Sequence, residues 1–462
     1  MKEGTIPRLG DSLEESMTTF SGAKKRIVVV GGGFGGAYAA QTLSKKAPKD
    51  WEVVLLDRDN FLLFYPLLVE AGVGHLEPRH VTVPIRSFLR KPASFTMAEV
   101  SRVDTAAQQV YYRVAGTGDI QTLHYDHLIL SPGSITKMPA SIPGLAEHAF
   151  ELKTLRDSIE FRDRGIRLLE IANTVSDKVT RRALLRIVVV GSNFTGIELA
   201  GEYQEFLTEQ TKNYPNLSED DVQVVVVEYA ERILPVLDAD LARFARKHLE
   251  KRGLKIYTKT SLSEVRRDSV TLTTGEILPC YTTVWCAGIS PSPFISKVEG
   301  LPVNERGYIL CDETTRVKGF DNVWAIGDSA FIPGADGKPF AATAQNASRQ
   351  GPTAALNVVR SIKGEDLVPF RHSDIGSLAA IGCRTAVARV FGVKLAGFPA
   401  WFMFRTVYLM KMPSWSRRVR IVIDWTLSLF FKPEALQLGV HQGDTVLDSI
   451  FEDESRTSVG VS

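Results

Sequence analysis

Residues Ile27-Val28-Val29-Val30-Gly31-Gly32-Gly33-Phe34-Gly35-Gly36 decide how the chain is read. A run of β-branched residues ends in G-x-G-x-x-G at Gly31, Gly33 and Gly36, and the Ala-rich stretch from Ala37 to Leu43 continues as a helix. In a strand, tight turn and helix of this kind the first Gly permits the turn. The second lets backbone approach a pyrophosphate, and the third lets helix and strand pack closely. The helix amino end adds free N–H groups and a positive dipole end. A second apolar strand, Trp51 to Leu56, ends in Asp57. That is about twenty residues past the last glycine, where a ribose hydroxyl needs an acceptor. A Gly-rich turn with no ligand is the plainer alternative, and the order of strand, loop, helix and acid argues against it.

The pattern returns at Ile187-Val188-Val189-Val190-Gly191-Ser192-Asn193-Phe194-Thr195-Gly196, and its second strand, Val222 to Val227, ends in Glu228. A polar insertion, Thr208 to Asp221, lengthens the crossover. Two copies mean two nucleotide sites. The second departs from the fingerprint at Asn193, whose side chain is expected to take space near the pyrophosphate and weaken binding. Asn is also the non-Gly residue that best tolerates left-handed backbone.

The 462 residues allow two or three domains, and 44% hydrophobic content, 23% charged content and a net charge of +2 are those of an ordinary globular protein. Bulk charge points to no partner, and no nucleic-acid motif accompanies it. Cys280, Cys286, Cys311 and Cys383 show no C-x-x-C spacing, so neither a zinc site nor a dithiol is indicated and no metal is expected. Residues 1–23 read as a flexible leader rather than a secretion signal. No uncharged apolar run reaches the length of a membrane span.

Between the fingerprints lies Asn60 to Leu68, too apolar to be left in water unless it lines a pocket or an interface, or folds under the first domain. Tyr125 to Leu130 leads into the turn Ser131-Pro132-Gly133. Downstream, Thr282 to Gly288 and Val323 to Ala330 are again strands ending at Gly. In the second of these Asp328 follows Ile326-Gly327, placed to accept from sugar-like hydroxyls or to cap a short helix.

Together these motifs resemble the two-dinucleotide-binding-domain flavoproteins, and over residues 24–435 the chain is most similar to type II (non-proton-pumping) NADH:quinone oxidoreductases. The resemblance implies an α/β fold of two Rossmann-like domains, one for FAD and one for NADH, with a C-terminal amphipathic, membrane-associating segment. It implies FAD at Gly31, Gly33, Phe34, Gly35, Gly36, Asp57, Arg58, Gly133, Gly327 and Asp328, with Ala344 and Gln345 beside it. NADH is implied at Gly191, Asn193, Gly196, Glu228 and Gly288. Phe64-Tyr65-Pro66-Leu67-Leu68 resembles a family segment, and Ala344-Gln345-Asn346-Ala347-Ser348-Arg349 resembles the quinone-side Ala-Gln-x-Ala-x-Gln. Arg349 stands where the second Gln is usual and Gln350 follows it, which leaves Gln345 as the quinone-side residue. The carboxylate within Thr-Gly-x-Glu falls on Glu198, implied to relay protons or orient nicotinamide. A Glu favoured early in a helix by the dipole alone is its plainer alternative.

Disulfide reductases of the same architecture need a cysteine pair near the flavin, and no cysteine occurs between Gly36 and Gly191. Sulfide:quinone reductases need cysteines suited to polysulfide. A flavin-bearing redox-sensing or interaction protein of the apoptosis-inducing-factor type stays open as an alternative.

From Gly376 to Phe431 Trp401, Trp415 and Trp425 are interleaved with Arg405, Lys411, Arg417, Arg418 and Arg420. Cationic and aromatic residues together suit an anionic membrane surface, and a helical cap or homodimer interface is the alternative. The domains expected are 24–145 with 320–375 for FAD, 146–319 for NADH, 376–435 at the membrane and a tail, 436–462. The whole implies a peripheral protein on the cytoplasmic or matrix face of an inner membrane, with quinone as acceptor.

Overall fold

The computed structural model describes residues 25–439 except 92, 374 and 375. The expected leader lies outside these residues, as does the tail from 440 onward. The helices used below are α1 (Phe34–Lys46), α2 (Leu68–Gly72), α3 (Leu155–Thr174), α4 (Phe194–Gln210), α5 (Ala344–Lys363), α6 (Phe398–Lys411) and α7 (Trp415–Leu427). The described residues form two compact units, one of residues 25–60 with 89–133 and 293–370, the other of 61–88, 134–292 and 371–439. Segments 61–88 and 134–145 thus group with the second fingerprint and 293–319 with the first, a division that differs from the boundaries expected at 145 and 319.

The first unit is built on a seven-stranded sheet in the order Val323–Ala325, His127–Leu130, Lys25–Val30, Trp51–Asp57, Ala93–Asp104, Gln109–Val114, Ile120–His124. The first five strands run parallel and the last two turn back as a meander. Ile27 to Val29 are wholly buried, as a parallel strand covered on both faces requires. Register does the organising. Val30 lies beside both Leu56 and Leu130, and Leu130 beside Ala325. The segments that follow, Gly31, Asp57, Ser131 and Ile326-Gly327-Asp328, therefore leave the sheet at one edge, at the switch point where an open α/β sheet binds ligands. Helix α5 crosses α1 so closely that a Cβ on Gly351 would stand 2.3 Å from the Gly35 carbonyl oxygen.

The second unit repeats this with five parallel strands, Ala149–Phe150, Thr282–Trp285, Arg186–Val190, Gln223–Val227 and Lys255–Tyr257. Val190 lies beside Val227 and Trp285, so Gly191, Glu228 and the Cys286-Ala287-Gly288 turn share an edge. Helices α3 and α4 meet through Phe161 and Tyr203, ring centroids 4.2 Å apart, with the buried Tyr203 hydroxyl donating to the Phe161 carbonyl at 2.7 Å.

The carboxyl-terminal part of this unit begins as an antiparallel sheet, Gly376–Ala380, Ala386–Val390 and Val393–Gly397. It lies against α4, where a Cβ on Gly201 would stand 2.5 Å from the Ile381 carbonyl oxygen. Arg252 ties the two together, donating to the carbonyls of Ile381 at 2.7 Å and Gly201 at 3.0 Å. Helices α6 and α7 follow. The chain then runs extended past α3, where the buried Asp163 carboxylate accepts the N–H groups of Leu438 and Gly439 at 3.0 and 2.9 Å. No helix of the described residues is long and apolar enough to cross a membrane.

Candidate active site

In the first unit Gly31 has φ +97°, and a Cβ there would stand 2.1 Å from the Ser131 carbonyl oxygen. A Cβ on Gly36 would stand 1.8 Å from the Gly31 carbonyl oxygen. Both glycines are obligatory for the turn. Gly33 differs, since its φ is −67° and a Cβ there would meet no atom of the chain. The space over it is where a phosphate can approach the backbone at the amino end of α1, which Phe34 opens and Gly35 and Gly36 continue. The Asp57 carboxylate accepts the Gly32 N–H through one oxygen and the Asp59 N–H, at 2.7 Å, through the other. Burial holds its carboxyl above the usual range, opposed by those bonds. The acid thus braces the turn while keeping lone pairs for a ribose hydroxyl.

Gly133 (φ +70°) and Gly327 (φ +77°) join the same edge, and the Ser329 hydroxyl donates to the Gly133 carbonyl. Asp328 sits half-buried inside the turn Gly327–Ser329 and does not cap a helix. Thr343 caps α5 by accepting the Asn346 N–H at 3.2 Å, which places Ala344 and Gln345 in its first turn. Arg349 is turned onto its own helix, donating to the Gln345 carbonyl at 2.9 Å. Gln350, passed over for Gln345 in the sequence, is buried and its side-chain oxygen accepts the Gly327 N–H at 2.8 Å. Arg58 departs from expectation. Its side chain is 79% exposed beside Asp59 and is not turned into the cradle.

The second turn has the same backbone. Gly191 has φ +96°, and a Cβ on Gly196 would stand 1.9 Å from the Gly191 carbonyl oxygen. Contrary to the expectation from the sequence, left-handed tolerance plays no part at Asn193, because its φ is −66° and its backbone extended, like that of Gly33. Its side chain is folded down as the cap of α4. Oδ1 accepts the Gly196 N–H at 2.9 Å, and Nδ2 donates to the Cys286 carbonyl at 2.8 Å. Asn193 therefore spends one helix N–H on itself, a cost in donors rather than in backbone strain. Glu228 accepts the Ser192 N–H and hydroxyl, at 2.7 and 2.6 Å, and the Ala230 N–H at 2.7 Å. Gly288 (φ +88°) closes the edge, its carbonyl accepting the Lys137 N–H at 3.2 Å.

Glu198 lies one turn beyond this cap. Burial pushes its carboxyl well above the ordinary range, and the charges of Glu202 and Glu70 push it further, against a bond from the Ala380 backbone. Around it the second unit assembles groups that sequence reading missed. Glu70 of α2 is buried, and its carboxylate accepts the Trp425 indole N–H at 2.6 Å with an Arg405 nitrogen 3.7 Å away. The Arg405 guanidinium is stacked on Trp401 and Trp425, 4.1 and 4.7 Å from their centroids. His75 Nδ1 lies 3.4 Å from Glu202. The apolar loop contributes Phe64, edge-on to Tyr408 of α6. The one signal for Glu70 in the sequence is a lone acid amid Leu67-Leu68-Val69 and Ala71-Gly72-Val73.

Residues 25–351 match the family model described as pyridine nucleotide-disulphide oxidoreductase, and residues 375–432 match that of the NDH2 C-terminal domain. The type II NADH:quinone oxidoreductase of Staphylococcus aureus is 30% identical over 391 residues, 83% of this chain and 94% of that one. An internal alternative NAD(P)H-ubiquinone oxidoreductase A1 of Arabidopsis thaliana is 30% identical over 445 residues, 89% of this chain and 86% of that one. The chain belongs to the type II NADH:quinone oxidoreductases. The fold agrees. NDH2 of Plasmodium falciparum, solved in complex with NADH, superposes with a TM-score of 0.82 at 20% identity over 89% of this chain and all of that one. A type II NADH:quinone oxidoreductase works with FAD and NADH, and both turns described above fit a dinucleotide.

Proposed function

We propose that this chain oxidises NADH, passes the electrons through FAD and reduces a membrane quinone without pumping protons. The observation that carries the reading is the duplicated edge. In each unit strand register brings a Gly turn, an acid and a second Gly turn together, and these glycines cannot carry a Cβ at their tightest points. FAD, when bound, supplies the hydride and electron chemistry. The chain's residues bind and orient. On this reading Gly31, Gly33, Phe34, Gly35 and Gly36 cradle the FAD pyrophosphate, Asp57 and Asp328 accept from its hydroxyls, and Ala344 and Gln345 offer the positive end of α5. Gly191, Asn193, Gly196 and Gly288 hold NADH. Glu228 accepts from the adenosine ribose and repels a 2′-phosphate. Glu228→Gln should therefore narrow the preference for NADH over NADPH about tenfold or more in kcat/KM. A wild type equally fast with both would remove Glu228 from this role.

The attachment we propose is to an anionic membrane surface through α6, α7 and the turn after them. Phe398, Phe402, Trp415, Ile423, Phe430 and Phe431 are each at least half exposed, with Arg417, Arg420 and Lys432 among them to meet headgroups. Only Trp415 of the segment's three tryptophans faces outward. Trp401 and Trp425 are buried against Arg405. Deleting everything from Gly392 would thus strip a strand of the Gly376–Gly397 sheet and the partner of Glu70, so point substitution is the cleaner test. Trp415→Ser with Phe430→Ser should lower binding to anionic liposomes by about 100-fold or more, from two aromatic side chains at about 1.5–3 kcal/mol each, with flavin content unchanged. A double variant that binds liposomes like the wild type, or a wild type that pairs with itself through this face, would make the surface a dimer interface.

A further inference from the structure

Reduction of a quinone by NADH takes one proton from water: NADH, quinone and H⁺ give NAD⁺ and quinol. Within the second unit the buried Glu70 and Glu202 meet the guanidinium of Arg405 and the imidazole of His75, and the charges of both carboxylates act on the half-buried Glu198. A cleft of 210 Å³ runs to this cluster, lined by His75, Glu202, Glu205, Arg384 and Arg405, with the exposed Phe430 and Lys432 at its rim. His75 lines the cleft together with Glu202 and is the more exposed of the two, 18% against 7% by side chain.

From this geometry we infer that His75 is the proton-entry residue of quinone reduction, handing protons from the cleft to Glu202 and onward to Glu198. The inference rests on the quinone reading above. A proton from water in the cleft binds the imidazole, and the Nδ1 proton passes to the Glu202 carboxylate 3.4 Å away. Glu198 and Glu202 are one helical turn apart on α4, with Cβ atoms about 5–6 Å from each other. One water or hydroxyl is enough to span a gap of that length. Each transfer moves only a proton, and one is consumed per quinol.

The charges around the pair load the proton onto His75 and leave Glu202 as its transient acceptor. Glu202 and Glu205 of α4 and Glu70 of α2 face His75 and raise its proton affinity against the effect of burial. Burial opposes the charged form of Glu202, yet His75, Arg252 and Arg405 together hold its carboxyl below the usual range. Arg384 lines the cleft beside Arg405. Arg405, its side chain 14% exposed, offsets only part of the charge of the three acids, and burial favours the protonated form of Glu198, so the cluster keeps a proton that it can pass on.

The test uses the full chain with NADH and two acceptors, a benzoquinone and ferricyanide, which takes electrons without protons. His75→Gln should slow quinone reduction about 10- to 100-fold, most at alkaline pH, while the ferricyanide rate stays within about twofold. Imidazole, small enough for the cleft, should restore the quinone rate, which it would not do for a purely structural histidine. Glu202→Gln should show the same split without rescue. Equal loss with both acceptors, or unchanged quinone rates in both variants, overturns the inference. A wild type that reduces ferricyanide but no quinone would instead overturn the quinone reading.

Discussion

Gly36→Ala should yield a folded protein with less than about a tenth of the wild-type flavin affinity. The added Cβ would stand 1.8 Å from the Gly31 carbonyl oxygen, so α1 must withdraw from the turn. Overpacking of this kind costs about 1–3 kcal/mol. Much of that cost falls on the backbone that faces the pyrophosphate, and 1.4 kcal/mol is already tenfold in affinity. Gly33→Ala is the informative partner. There φ is −67° and the methyl meets no atom of the chain, so its melting temperature should match that of the wild type and only the ligand should feel the substitution. Flavin-to-protein ratios and thermal melts of the two variants check this. Wild-type flavin content in both would mean that the Gly31 to Gly36 turn is not the FAD cradle.

Glu198→Gln should lower quinone turnover about 100-fold, the scale of a lost proton-transfer group, with flavin content preserved. It carries a second signature in stability. Burial raises the folded carboxyl well above its ordinary value of 4.5. A raised folded value means that the native state keeps its proton longer than the unfolded chain. The stabilisation linked to that proton is therefore complete below 4.5 and is lost as pH climbs through the folded value. Gln has no proton to lose. The variant and wild type should thus melt together in acid, and the variant should melt higher at alkaline pH. Turnover and melting curves that do not differ at any pH would return Glu198 to an ordinary helix-start carboxylate.

Much of the fold was legible because a few backbone demands are local. Positive φ at Gly31 and Gly191 and contact at Gly36 and Gly196 leave residue types no choice, and apolar strands ending in Asp57 and Glu228 bring the acids to the same edge. What was not legible depends on partners distant in sequence. Asn193 reads as an obstruction until its side chain is seen capping α4 and reaching Cys286. Asp57 and Glu228 brace their own turns, which spacing alone does not say. Glu70 and Trp425 are 355 residues apart, and no periodicity announces their bond. Composition marked the Trp and Arg residues of the last helices as a surface. It could not say that Trp401, Trp425 and Arg405 face inward while Trp415 faces out.

Electrons that pass from NADH through bound FAD to a quinone can be followed by an anaerobic absorbance titration of the purified full chain. Flavin bands should be present as isolated, bleach on addition of NADH and return on addition of a quinone. Absence of flavin, bands that NADH does not bleach, or a reduced flavin that quinone fails to reoxidise would contradict that path.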